Sequence, residues 1–110
     1  MVTIKEDYCS KELYRLLREK GFDGEIHTSY DEEGYTQPSI TLQMAMKWLR
    51  EVHNIFIEIG VSIDLVGNYH YRYSILNRAC KYVRKEYTDF DWDYNQACEA
   101  AIKYCLENLI

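Results

Sequence analysis

A long alternation of apolar and polar residues restricts the fold of this chain more than any other feature. The apolar positions of the first run are Ile57, Ile59, Val61, Ile63 and Leu65. A second alternating run, Tyr69 to Ile75, follows after three turn-forming residues. A period of two is the pattern of a strand with one buried face. The sequence therefore predicts a long antiparallel hairpin over about residues 55–76.

The turn of this hairpin can be argued from the face that each residue would take. A two-residue loop would place apolar side chains opposite polar ones, whereas a three-residue loop pairs Leu65 with Tyr69 and keeps one face apolar. Asn68 tolerates the left-handed conformation that such a loop needs. We therefore predict the three-residue loop, with Asp64 opposite His70 on the polar face.

Three segments carry the spacing and the end signals of helices. The predicted helices run from about Lys11 to Lys20, from Leu42 to His53 and from Tyr94 to Asn108. Their predicted N-caps are Ser10, then Thr41, then Asp91 or Asp93, because hydroxyl and carboxylate side chains accept from the first free backbone N–H groups. Gln96 would complete a capping box with Asp93.

The remaining segments are less regular. A short hairpin is predicted from Glu25–Tyr30 and Tyr35–Gln37, with Pro38 ending it. Residues 76–87 fit a short helix or a strand, and the helix is favoured. No repeat or linker divides the chain, so residues 1–110 are expected to form one α+β domain. It would be an antiparallel sheet built on the long hairpin, with helices packed mainly on one face.

Charge and composition narrow the classes of function. The net charge of −5 disfavours non-specific binding to nucleic acid or to an anionic membrane, because the overall field repels both. The first residues contain no apolar signal-peptide core, and no apolar run is long enough to span a bilayer. We expect a cytoplasmic protein whose four cysteines are free, buried thiols.

The sequence carries no clear catalytic, metal-binding or cofactor-binding signature. The run Asp89 to Asp93 resembles the start of a calcium loop, but Tyr94 and Ala100 stand where glycine and glutamate are required. His70 with Asp64 could form an oriented general base, although a cross-strand charge pair is the commoner arrangement. No catalytic residue, metal site or cofactor is predicted, and the sequence does not favour an enzyme.

Binding surfaces are better represented than chemistry. A basic cluster spans Arg78–Lys85, with tyrosines interleaved, and such mixtures suit phosphates and stacked bases. The polar face of the long hairpin is a second candidate surface. The predicted ligand- or partner-binding residues are Tyr69, His70, Tyr71, Arg72, Arg78, Lys81 and Arg84.

Three parts of the chain support a resemblance to a known family. They are the run Tyr8–Ser10 leading into Leu16–Asp23, the segment Gln43–Glu51 and the segment Ala97–Ile110. The chain resembles a family of small proteins from gut Bacteroides and their phages or other mobile elements. The resemblance implies an accessory gene in an intracellular bacterial setting, and it implies no catalytic site.

The sequence therefore predicts a non-enzymatic accessory binding protein of phage or mobile-element type. It would act by occupying a host protein or by sequestering a small nucleotide-like ligand, with tyrosine rings stacking on the base. The alternative is a nucleic-acid-binding accessory protein that uses the basic Arg78–Lys85 patch. Homo-oligomerisation through a sheet edge is a further expectation, since a long exposed strand is usually paired or protected.

Overall fold

A computed structural model of the protein describes residues 7–30, 33–86 and 93–110. These residues form three helices and two antiparallel sheets, so the predicted α+β class is confirmed. In chain order the elements are α1 (Lys11–Glu19), β1 (His27–Tyr30), β2 (Thr36–Ser39), α2 (Leu42–His53), β3 (Phe56–Ile63), β4 (Tyr69–Leu76), β5 (Tyr82–Glu86) and α3 (Tyr94–Asn108).

The helix starts follow the predicted caps. The capping side chains accept from the backbone N–H three residues later: Ser10 from Leu13, Thr41 from Met44 and Asp93 from Gln96. The side chain of Gln96 also accepts from the backbone of Asp93, which confirms the capping box. Each satisfied N–H would otherwise lose a hydrogen-bond partner on folding. Local hydrogen bonding therefore fixes where each helix begins.

The three-stranded sheet has the order β3–β4–β5, and its two faces differ in polarity. Ile59 pairs with Tyr73 and Ile57 pairs with Ile75, so these four side chains share one face. They pack against residues of α2 and α3 in the hydrophobic core. The other face carries Glu58, Ser62, His70, Arg72 and Ser74. The helices therefore lie on one face of this sheet, as predicted.

The loop of the long hairpin differs from the prediction. The last strand pair is Ile63 with Tyr69, so residues 64–68 form the loop and the three-residue loop is wrong. The Asp64 carboxylate accepts from the backbone N–H groups of Val66 and Asn68, at 2.9 Å each. This side-chain bonding closes a wider turn, and Gly67 rather than Asn68 takes the positive φ of 88°. The strand pairing differs from the predicted pairing by two residues, so each side chain stays on its predicted face of the sheet.

Residues 76–87, for which the sequence favours a helix over a strand, contain a strand. β5 (Tyr82–Glu86) pairs antiparallel with β4, with a register irregularity after Ile75. The preceding turn is closed by Asn77, whose side chain accepts from the backbone N–H groups of Ala79 and Lys81. Cys80 in this turn has a φ of 58°, which a right-handed helix excludes. These local bonds compete with helix formation and redirect the chain into the sheet.

The short hairpin is present with shifted ends. β1 pairs with β2, and Pro38 lies within β2 opposite Thr28 instead of ending the segment. Proline is tolerated there because each strand of a two-stranded sheet has one edge without ladder bonds. Asp31 and Glu32, between the two predicted strands of this hairpin, fall outside the described residues.

One hydrophobic core joins the three helices to the sheet. Its fully buried residues include Leu17 of α1, Leu49 of α2, Ile75 of β4 and Ile102 of α3. Cys9, Cys98 and Cys105 are buried as predicted, whereas Cys80 is exposed. Within the described residues, every helix is too short or too polar to cross a membrane.

Candidate functional site

The residues predicted to bind a ligand do not converge on one site. Arg72 lies on the polar face, where its side chain crosses Gly60; a Cβ built on that glycine would lie 3.2 Å from Arg72 Nε. Arg84 is opposite Ile75 and so lies on the helix-covered face, with its Cζ 4.5 Å from the centre of the Tyr104 ring. Two of the predicted ligand-binding arginines are therefore on opposite faces of the sheet.

The remaining predicted residues lie at opposite ends of the sheet. Tyr69 begins β4 beside the hairpin loop, and Tyr71 contacts the ring of Tyr94 edge-on with the centroids 6.0 Å apart. Arg78 and Lys81 lie in the turn between β4 and β5. The basic cluster is thus split between a turn and both faces of β5, rather than forming one helical face.

Asp64 and His70 are in contact, as the polar-face prediction required. His70 Nε2 lies 2.8 Å from Asp64 Oδ2. The hydrogen bond with His70, followed by the bond from the backbone of Asn68, lowers the pKa of Asp64 to about 2. Because the other carboxylate oxygen holds the loop backbone, the pair has a clear structural role at the hairpin end.

The loop end of the long hairpin exposes a row of apolar side chains. Val61 and Ile63 of β3 are 52% and 62% exposed, and Leu65 in the loop is fully exposed. Tyr69, which pairs with Ile63, is 62% exposed on the same face. We call Val61, Ile63 and Tyr69 the uncovered row. Apolar groups grouped in this way are typical of surfaces that bind another molecule.

The outer edge of β3 is unpaired, since no described strand lies beside it. The backbone N–H of Asp64 donates to the carbonyl of Asn68 at 3.0 Å, across the hairpin. In an antiparallel ladder, successive residues direct their N–H and C=O groups to alternate sides. The even-numbered residues of β3 therefore bond to β4, and the backbone groups of Ile57, Ile59, Val61 and Ile63 point to the outer edge.

A groove runs beside this edge, between β3 and α2. It has a volume of about 350 Å³ and is lined by Gln43, Met46, Arg50, Ile57, Ile59 and Tyr94. Gln43, Met46 and Arg50 are spaced three and four residues apart on α2, so they form one stripe along the groove wall. Its base is apolar and Arg50 supplies a cation. We call this cavity the edge groove.

Sequence reasoning missed the edge groove because its two walls come from different elements. The stripe on α2 was the available signal, since residues at this spacing share a helix face. What the sequence does not give is the position of α2 beside the outer edge of β3. A short connection, Asn54 with Ile55, joins the two elements, and Asn54 ends α2 in a left-handed conformation with a φ of 56°.

A second cavity lies at the end of the sheet away from the loop of the long hairpin. It has a volume of about 370 Å³ and is lined by His53, Asn54, Ile55, Ile75, Leu76, Asn77, Arg78, Val83 and Leu109. His53 Nε2 is buried without a hydrogen-bond partner among the described residues, and the ring lies edge-on to Trp48. The C-terminal ends of α2 and α3 meet this cavity, so their dipoles disfavour an anion there.

Comparisons with known proteins give no further guide. No protein-family model, curated protein or solved structure matches this chain. Within residues 7–30, 33–86 and 93–110, no three His, Cys, Asp or Glu side chains are grouped so that they could hold a metal ion. The edge of β3, the edge groove and the uncovered row are therefore the features of this structure that point to a function.

Proposed function

We propose that the protein is a non-enzymatic binding protein that occupies a partner polypeptide by adding it as a strand to β3. The observation that carries this proposal is the outer edge of β3, beside which no described strand lies, with the edge groove next to it. Main-chain hydrogen bonds along such an edge supply affinity, and pockets for alternate side chains supply specificity.

The lining of the edge groove defines the chemistry of the partner. An added strand would direct every second side chain toward Met46, Ile57 and Ile59, which favours apolar residues at alternate positions. Arg50 at the groove wall favours a carboxylate near one end of the segment. The proposed ligand is therefore an extended segment with two alternating apolar residues and a nearby acidic residue.

A peptide selection tests this function. A phage-displayed library of linear peptides would be selected against the protein, and the affinities of the recovered peptides measured by calorimetry. We expect alternating apolar sequences, with roughly tenfold or greater loss of affinity for Met46→Glu, because the new carboxylate would be desolvated in the groove. Val52→Glu is the matched control, since Val52 lies on the same helix outside the groove and is exposed.

Two outcomes would contradict the proposal. One is a selection that enriches no sequence above the unselected library. The other is a set of peptides whose affinity falls equally for Met46→Glu and Val52→Glu, because such peptides would bind elsewhere.

The small-ligand and nucleic-acid versions have less support. Sequestration of a nucleotide needs tyrosine and arginine side chains around one cavity, whereas Arg72 and Arg84 lie on opposite faces. Nucleic-acid binding needs a continuous basic surface, whereas Arg78 and Lys81 lie in a turn apart from Arg84. A role in a phage or mobile element, in a bacterial cytoplasm, stays a prediction that rests on the resemblance.

A further inference from the structure

The edge groove and the uncovered row belong to the two halves of one strand. Ile57 and Ile59, in the first half of β3, form the base of the groove. Val61 and Ile63, in the second half, are exposed beyond it. One half is thus a concave apolar site, and the other half is an apolar segment whose side chains are more than half exposed.

We infer that a second copy of this chain occupies the edge in the absence of another partner, by antiparallel pairing of β3 with β3 about a two-fold axis at Gly60. In this register Ile57 lies opposite Ile63 of the second copy, and Ile59 lies opposite Val61. Each copy then places its exposed half in the groove of the other. A two-fold interface of this kind is self-complementary by construction.

The backbone supports the same register. The N–H and C=O groups of the odd-numbered residues 57–63 point to the outer edge, as the bond from Asp64 to Asn68 requires. A two-fold axis at Gly60 pairs odd-numbered residues only with odd-numbered residues. Every outward backbone group in this segment therefore finds a partner across the axis, and Gly60 meets its copy in a non-hydrogen-bonded pair.

On the polar face, this register separates the acidic side chains. Glu58 is the charged residue of the strand, and the two-fold axis places it opposite Ser62 rather than opposite a second carboxylate. Like charges directly opposite each other in a sheet are destabilising, and this register avoids that arrangement for the carboxylates. The Arg72 side chains, each of which crosses its own Gly60, must turn away from the two-fold axis when the strands pair. A slip of one residue would pair apolar with polar side chains. Of the two-residue slips, one would place Glu58 opposite Asp64, and the other would leave Ile63 opposite a residue before β3.

This inference rests on the proposed strand-addition function, since both use the same edge and the same groove. It adds a mode of regulation, because a partner segment must displace the second copy before it binds. Partner affinity should therefore fall as the protein concentration rises, and a bound peptide should convert dimer to monomer.

Sedimentation velocity over a wide concentration range provides the first test. We expect a monomer–dimer equilibrium that Val61→Lys weakens roughly tenfold or more, because the ammonium group would enter the apolar groove of the second copy. Leu65→Lys is the matched control, since Leu65 is fully exposed in the loop outside the paired segment. A wild-type monomer at every concentration, or a dimer unchanged by Val61→Lys, would overturn the inference.

Cysteine cross-linking tests the register independently. In a Cys80→Gly background, Gly60→Cys should form an intermolecular disulfide on mild oxidation, because Cα atoms in such a pair are about 4.5 Å apart. Ser62→Cys should not, because the two copies of residue 62 would be about 14 Å apart. Equal cross-linking of both variants would exclude this register. If Gly60→Cys disturbs Arg72, the sedimentation of Val61→Lys still tests whether β3 pairs with β3.

The two proposals can fail separately. A monomeric protein that still binds the selected peptides overturns the inference and leaves the proposed function. A dimer with the expected cross-link that binds no peptide overturns the proposed function and leaves self-pairing as the role of the edge.

Discussion

The two halves of the β3–β4 hairpin have the same alternation and the same backbone ladder, and they differ in what covers them. Near α2 and α3, Tyr73 is 4% exposed and Ile75 is fully buried. Near the loop, Ile63 and Tyr69 on the same face are each 62% exposed. Alternation therefore specifies which face of a strand is apolar, whereas the helices decide how much of that face becomes core.

Truncation of one isoleucine in each half should give the largest contrast. Ile75→Ala should lower the free energy of unfolding by about 3 kcal/mol, because it removes buried methyl groups and leaves a cavity. Ile63→Ala should cost about 0.5 kcal/mol or less in the monomer, because Ile63 is largely exposed. Urea denaturation at low protein concentration measures both. Similar losses for the two variants would mean that the loop half is covered in solution.

The start of α3 lies where the covered and uncovered halves meet, since Tyr94 contacts Tyr71. Asp93→Ala should lower the free energy of unfolding by about 1 kcal/mol, because it removes the acceptor for the N–H of Gln96. Asp93→Asn is the control, since an amide oxygen can still accept this bond. We expect Gln96 amide exchange to accelerate only in the alanine variant, because its N–H donates to Asp93 Oδ1, and equal effects would contradict the capping argument.

The turns at the two ends of β4 provide a smaller contrast. Gly67 has a φ of 88° at the loop end, whereas Cys80 adopts a φ of 58° in the turn before β5. Cys80→Gly should raise the free energy of unfolding by about 0.5 kcal/mol, because glycine relieves left-handed strain of about 1 kcal/mol but also loosens the unfolded chain. Gly67→Ala, the reverse change, should lower it by about 1 kcal/mol. Thermal denaturation would show whether each substitution raises or lowers the stability of the fold.

The smallest expected effect concerns the loop carboxylate and appears only in acid. The pKa of Asp64 is lowered from 3.8 to about 2, so the unfolded chain takes up this proton first as the pH falls. The stabilising contribution of Asp64 is therefore complete above about pH 4 and is lost as the pH falls toward 2. His70→Ala should raise the pKa of Asp64 toward its ordinary value, because the bond with His70 is the largest cause of the shift.

Carbon NMR of the Asp64 carboxyl group measures this titration directly. His27→Ala is a suitable control, because His27 lies beside Glu25 rather than beside Asp64. A titration of Asp64 that is the same in wild type and His70→Ala would show that the loop N–H groups alone lower its pKa.

Features of the fold that depend on neighbouring residues could be predicted from the sequence. Thr41 and the Asp93–Gln96 capping box gave the starts of α2 and α3 because each uses residues within one helical turn. The hairpin faces followed from the period of two. These signals are local, so one sequence contains all of the relevant interactions.

The errors arose where side chains bond to the backbone or where distant elements meet. Asp64 holds a wider loop than the apolar pattern alone required, and Asn77 closes a turn that interrupts an apparent helical period. The edge groove depends on where α2 lies relative to β3, which no single segment encodes. The predicted binding residues were chosen by type, and the register then separated Arg72 from Arg84.

The placement of the four thiols gives the protein a set of internal reporters. Burial raises the pKa of Cys9 and Cys105 to about 12 and that of Cys98 to about 11, so each is a poor nucleophile while the core is closed. Cys80 is exposed. With an alkylating reagent at neutral pH, Cys80 should therefore react at once. The buried thiols should react later, as transient openings of the native state expose them. Their order would rank the local stability of the segments around α1 and α3 without a probe being introduced.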